Sequence, residues 1–127
     1  MGVSGLTLDA GVLIGFDCSE RRAVRLVARA RERGERLAVP AGVVGQAWRD
    51  GRKQAELARL LGSELCEVVA LDDRVARAAG QLCGATGTSD VIDASVVICA
   101  RARGQRVATS DPDDLRRLEP KVELVVI

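Results

Sequence analysis

Short Val-, Leu- and Ala-rich runs alternate with helical patterns from one end of this chain to the other. No other feature limits the fold as tightly, because strands joined by helix-length connections pair in parallel with right-handed crossovers. The strand-like runs are Gly5 to Leu8, Arg36 to Val39, Glu64 to Leu71, Arg106 to Thr109 and Val122 to Val126. Between them the spacing predicts helices over Ala10 to Ile14, Arg21 to Arg33, Ala41 to Asp50, Lys53 to Leu61, Asp73 to Cys83, Asp90 to Arg103 and Pro112 to Leu118. Gly34, Gly51 and Gly62 close three of them, and Pro40 suits a helix entry. In Arg21 to Arg33, Val24, Val27 and Ala28 are expected to face inward. The expectation is an α/β fold, a parallel sheet with helices on both faces. No repeat, low-complexity tract or linker interrupts the pattern, so residues 1–127 read as a single domain.

One helix differs from the rest. The run from Val91 to Ala100 is apolar nearly all round, the mark of a helix buried on every side. Yet it opens on Asp90 and Asp93, and the short strand after it leads straight into Asp111, Asp113 and Asp114.

Composition removes several chemistries. The chain has no His, which excludes Ser-His-Asp and Cys-His catalysis and any His-ligated zinc. Cys18, Cys66, Cys83 and Cys99 are widely spaced, without a C-x-x-C. They read as reduced packing residues among apolar neighbours, which suits the cytoplasm. No leader peptide is expected, since Asp9 interrupts the first apolar run. No run approaches the roughly 20 apolar residues of a membrane span. The net charge of +1 gives no global pull toward nucleic acid, but the basic residues are nearly all Arg and cluster. The clusters are Arg21 to Arg36 and Arg49 to Lys53. Arg favours bidentate contact with phosphate, although each of these also fits a solvated helix face.

In a parallel α/β sheet, ligands bind outside the carboxyl ends of the strands. Asp9 ends the first strand and Asp111 follows the fourth by two residues. Asp90 and Asp93 open a crossover helix whose N-terminus lies at the same edge, and Asp114 sits in the first turn of the next helix. Each acid also has a local reading as a helix cap or turn residue. Converging carboxylates repel unless a cation lies among them. Oxygen-only donors select a hard ion, Mg²⁺ or Mn²⁺. The chemistry indicated is metal-assisted attack of water on a phosphodiester.

Four segments carry a resemblance: LTLDAGVLIG around Asp9, VPAGVVGQAWRDG from Val39, DASVVICARARG from Asp93, and VATSDPDDL from Val107. Together and in this order they resemble the PIN-domain ribonucleases, and among these the VapC-type toxins of toxin–antitoxin pairs. The resemblance implies a three-layer sandwich with a five-stranded parallel sheet. It implies a Mg²⁺- or Mn²⁺-dependent endoribonuclease acting on RNA, a homodimer, and an antitoxin protein as partner. Asp9 and Asp93 match the principal metal ligands. Asp111 matches the acid after the fourth strand, with Asp114 as its neighbour, and Asp90 is an additional acid one turn before Asp93. The family's remaining Glu, on the helix after the second strand, falls at Gln46, which keeps an acceptor oxygen and loses the charge. Asp50, one turn on, is the substitute at hand.

Arg49 and Arg52, just past Gln46 on the same element, are the expected RNA phosphate contacts. Ser110 could bond substrate or a ligand carboxylate, and Trp48 is expected in the core or a dimer contact. A binding module with the same fold and little nuclease activity is the alternative that Gln46 raises. A two-component receiver lacks its Lys, since Lys53 and Lys121 are misplaced. An Asp-x-Asp phosphatase fails at Gly11.

Overall fold

The computed structural model describes residues 5–127. The first residues of the expected 1–127 domain, and the start of the stretch read for a leader, lie outside them. The strands are β1 (Gly5–Leu8), β2 (Arg36–Pro40), β3 (Cys66–Val69), β4 (Arg106–Thr109) and β5 (Leu124–Val126). All pair in parallel, in the order β3-β2-β1-β4-β5. The helices are α1 (Ala10–Asp17), α2 (Arg21–Arg33), α3 (Ala41–Ala47), α4 (Ala55–Leu61), α5 (Asp73–Thr86), α6 (Val91–Arg103) and α7 (Pro112–Leu118). The expected α/β sandwich, a five-stranded parallel sheet flanked by helices, is therefore the observed fold.

The chain steps from β1 to β2 to β3 in one direction, then returns to place β4 on the other side of β1. The direction reverses between β1 and β4, and a crevice opens at such a switch point. Right-handed crossovers place α1 to α4 on one face and α5 to α7 on the other. Side chains alternate accordingly. Thr7 faces α6, where its Oγ1 donates to Gln105 Oε1 at 2.9 Å and lies 3.8 Å from Cys99 Sγ. Leu6 and Leu8 face the other layer and are buried.

The core is aliphatic, as a chain with one Trp, one Phe and no Tyr requires. α6 runs through it with Ala94, Val96, Val97, Cys99 and Ala100 buried. Burying each Val contributes about 1.5–3 kcal/mol. No single helix among the described residues is long and apolar enough to cross a membrane.

Three local expectations are corrected. The inward stripe of α2 is Ala23, Val27 and Ala30, while Ala28 is exposed and Val24 is 40% exposed. The helix is rotated by about one residue (~100°) from the expected facing, because the arginines at both edges of the stripe leave several apolar positions to choose from. Cys18 is an exposed C-cap of α1 and not a packing residue. α3 stops at Ala47, before the expected Asp50, and a short 3-10 turn, Gly51–Lys53, precedes α4.

The cause of that early stop is Gln54, a buried polar residue. Its Oε1 accepts from the amides of Arg49 at 2.8 Å and Asp50 at 2.9 Å. Its Nε2 donates to Ala47 O and to Asp17 Oδ2, both at 2.9 Å. One amide side chain thus takes up the backbone groups a continuing helix would have paired, and ties the loop to α1.

Candidate active site

β1 ends and α1 begins at Asp9, so one residue serves both elements. Its Oδ1 accepts from the Ala10 amide at 2.8 Å, capping α1. Its own amide donates to Ala108 O at 3.0 Å, which fixes it beside the end of β4. Leu8 pairs with Ala108, so the next residue on each strand, Asp9 and Thr109, come opposite one another. The Thr109 hydroxyl donates to Asp9 Oδ2 at 2.8 Å and accepts from the Asp111 amide at 2.9 Å. Both Asp9 and Thr109 are buried. A single hydroxyl thereby locks the first acid to the loop that carries the third.

Asp90 is the N-cap of α6, its Oδ1 accepting from the Asp93 amide at 2.9 Å. The local cap reading of Asp90 is thus correct, and it is compatible with the acid's place at the edge. Asp93 is half-buried in the first turn. Its carboxyl is pushed up to about 7, by burial first and then by the charges of Asp90, Asp9, Asp114 and Asp111. Asp9 is raised by burial, against the opposing bonds from Thr109 and Ala10, and further by Asp90 and Asp114. Asp111 is raised by a hydrogen bond shared with Asp114 and by that neighbour's charge. Each of these acids therefore senses others in the set, although they come from three distant stretches of sequence. Asp90, Asp93 and Asp114 also border a polar cleft of about 480 Å³, walled by Thr86 to Ser89 and by Arg117.

The remaining expected residues fall elsewhere. Gln46 is half-buried in the last turn of α3. It forms no side-chain hydrogen bond among the described residues, and none links it to the acids. Asp50 is no longer on that helix: its carboxylate accepts from the Arg52 amide at 3.0 Å and caps the 3-10 turn. Arg49 lies in the loop beyond α3, not on it, and Nη1 donates to Gly45 O at 3.0 Å and Trp48 O at 2.7 Å. Arg52 Nε lies 3.3 Å from Asp50. Neither arginine shares an element with Gln46, because Gln54 ends the helix first. Trp48 is not in the core; it is 38% exposed and lies over Gly51. Ser110 is exposed and makes no side-chain hydrogen bond among the described residues. A Cβ at Gly11 would collide with its hydroxyl, so Gly11 lets this loop approach α1. The residue that holds the Asp9 carboxylate is Thr109, one position earlier. Its signal in the sequence was its place at the end of β4, visible only once β4 is known to pair with β1.

A three-layer α/β sandwich with an acid cluster at its switch point is a recognisable class. Within it, the chain belongs to the PIN domain family, whose family model matches residues 6–120. No curated protein matches it in sequence. Among solved structures, a chain of VapBC2 from Rickettsia felis, bound to a DNA fragment from their promoter, has the same fold with a TM-score of 0.68. The match covers 96% of this chain and 98% of that one at 12% identity.

Proposed function

We infer that the chain is a metal-dependent endoribonuclease, the VapC-type toxin of a toxin–antitoxin pair. The observation that carries this reading is the gathering of acids from three distant segments at the carboxyl ends of β1 and β4, where the Thr109 hydroxyl joins Asp9 to the Asp111 loop and burial with the neighbouring acids pushes the Asp93 carboxyl up to about 7. Such a cluster is costly in the bare protein and is relieved by a bound cation.

The donor set fits that cation. It is all oxygen, with no His in the chain and no Cys at the edge. Among the described residues no three acidic, Cys or His groups stand in an arrangement that could hold an ion by themselves. Mg²⁺ usually takes one or two carboxylates and keeps its waters, so Asp9 and Asp93 would hold it directly. Asp90, Asp111 and Asp114 would act through water. When bound, the ion supplies an activated water and offsets charge on the leaving oxygen. The chain's own residues do the rest. Thr109 aims Asp9 and opposes the rise that burial gives its carboxyl, the Asp90 cap fixes the first turn of α6, and Asp111 and Asp114 stand beside each other at the start of α7.

A soluble cytoplasmic protein, an RNA substrate, a homodimer and an antitoxin partner belong to the same reading. The likeness in fold to a chain of VapBC2 supports the last of these.

The test is RNA cleavage by the purified chain in Mg²⁺ and in Mn²⁺, beside Asp93→Asn and an EDTA control. Metal-dependent cutting that falls at least ~100-fold in the variant is the expected result. Absence of cutting by the folded wild type sinks the nuclease reading. A binding module of the same fold is favoured by Gln46, which brings no charge to the site. Under that second reading Gln46→Glu raises cutting strongly; under the first it changes little.

A further inference from the structure

A groove lies away from the acids, along the flank of α2. It has a volume of about 510 Å³. The topology explains it. The crossovers on the α2 face serve β1 to β3; α1 covers the middle of β4, and the groove opens beside it, between α2, Arg106 at the start of β4, and β5. Leu6, Leu26 and Val125 are among the apolar residues that line it, and Arg22, Arg25, Arg29, Arg33 and Arg106 line it too, with Glu35 as the only acidic side chain among the described residues. Arg33 is paired with Glu35 at 3.6 Å, whereas Arg22, Arg25, Arg29 and Arg106 make no ion pair among the described residues.

We propose that this groove is the track for single-stranded RNA leading to the acidic edge, with Arg22, Arg25 and Arg29 as phosphate contacts. The proposal rests on the nuclease reading for the identity of the ligand. Charge segregation is the first argument. The chain's net charge is only +1, yet carboxylates gather at the strand ends and unpaired guanidinium groups gather along α2. A polyanion approaching carboxylates needs cations beside them, and a guanidinium fork matches phosphate.

Spacing is the second argument. Arg22, Arg25, Arg29 and Arg33 recur on one helical face, about 4.5–6 Å apart along the axis, on the scale of successive phosphates in a nucleotide strand. Continuity is the third. Ile127 lines the groove, and its amide donates to Thr109 O at 3.0 Å, beside the Asp9–Asp111 link. One end of the groove therefore lies on the strand next to Thr109, the residue whose hydroxyl holds Asp9. A second copy of the chain suits this face poorly, since a two-fold axis would set the arginine row against itself.

The experiment measures binding of a labelled, unstructured RNA of about 12 nucleotides by fluorescence anisotropy across a salt series. Asp93→Asn serves as the background so that the RNA is not cut. Arg25→Ala with Arg29→Ala is expected to weaken binding at least ~10-fold and to lower the salt slope by about 1.4, two single-strand phosphate contacts. Arg25→Lys with Arg29→Lys retains most of the slope. Arg74→Ala with Arg77→Ala, exposed on α5 of the opposite face, changes neither. Both α2 arginines are exposed, so these variants stay folded.

An unchanged affinity in the α2 variant, or an equal loss in the α5 variant, overturns the track. Tighter binding of labelled polyglutamate than of RNA at equal ionic strength also overturns it, in favour of a protein docking groove. Cutting without any effect of the α2 arginines removes the track and leaves the nuclease reading standing. RNA binding through them without cutting does the reverse.

Discussion

The carboxyl edge between β1 and β4 and the loop after α3 are both rich in polar side chains, and the structure uses them in opposite ways. At the edge, Asp9, Asp93 and Asp111 reach one another from distant segments, and burial plus mutual repulsion holds their protons unusually tightly. In the loop, Arg49, Asp50 and Gln54 spend most of their hydrogen bonds on backbone groups within a few residues, with Gln54 reaching α1 only through Asp17. Charge density in the sequence is similar in the two places. What separates them is whether a side chain's partner is the nearby backbone or a remote strand. Groups satisfied locally shape the chain; groups crowded together and left short of partners are available for chemistry.

Gln54 holds the loop's local pattern together. Gln54→Leu leaves the Arg49 and Asp50 amides and the Ala47 carbonyl without their partner, and should cost about 2–3 kcal/mol in denaturant unfolding. RNA cutting per folded molecule should be unchanged. A loss of cutting without a loss of stability would mean that the loop belongs to the site.

Thr109 tests the other side. Thr109→Val removes the hydroxyl between Asp9 and Asp111 and should cost about 2 kcal/mol, with cutting lowered and Thr109→Ser restoring both. Equal activity in the Val variant would show that the link is purely structural.

The acids also predict a pH dependence. The folded value for Asp93, about 7, lies above its ordinary 3.8. Its contribution to stability is therefore fully present below pH 3.8 and is lost as pH rises through about 7. Without divalent cation, Asp93→Asn should gain on the wild type across that window, reaching about 1 kcal/mol at alkaline pH after allowance for solvent screening. Added Mg²⁺ should close the gap, and its affinity should rise as pH passes about 7. A gap that widens toward low pH would contradict the crowding.

The smallest effect is expected at Arg49. Arg49→Ala should change stability by less than about 0.5 kcal/mol and leave RNA affinity and its salt slope untouched. A slope lower by about 0.7 would restore it as a phosphate contact.

How far the sequence could be followed depends on the range of the interaction. The elements were legible because period, caps and breakers act over a few residues. Gly34 at φ 64° and Gly104 at φ 61° end helices where the pattern said they would. The acids at the strand ends were legible too, since a strand's last residue needs only a rule about parallel sheets. α2 was read with the wrong residues inward, because a stripe bordered by arginines fits more than one rotation. α3 was read too long, because its end is set by a side chain seven residues further on.

By itself, the sequence determined that the chain is an alternating α/β fold with carboxylates at the ends of β1 and β4 and none of the His chemistry. The tertiary structure alone decided that β4 pairs with β1, which brings Thr109 against Asp9. It also decided that Arg106 and the β5 residues Val125 and Val126 border a groove beside the α2 arginines. Strand order and register are settled by non-local pairing, for which no local pattern in the chain carries a signal.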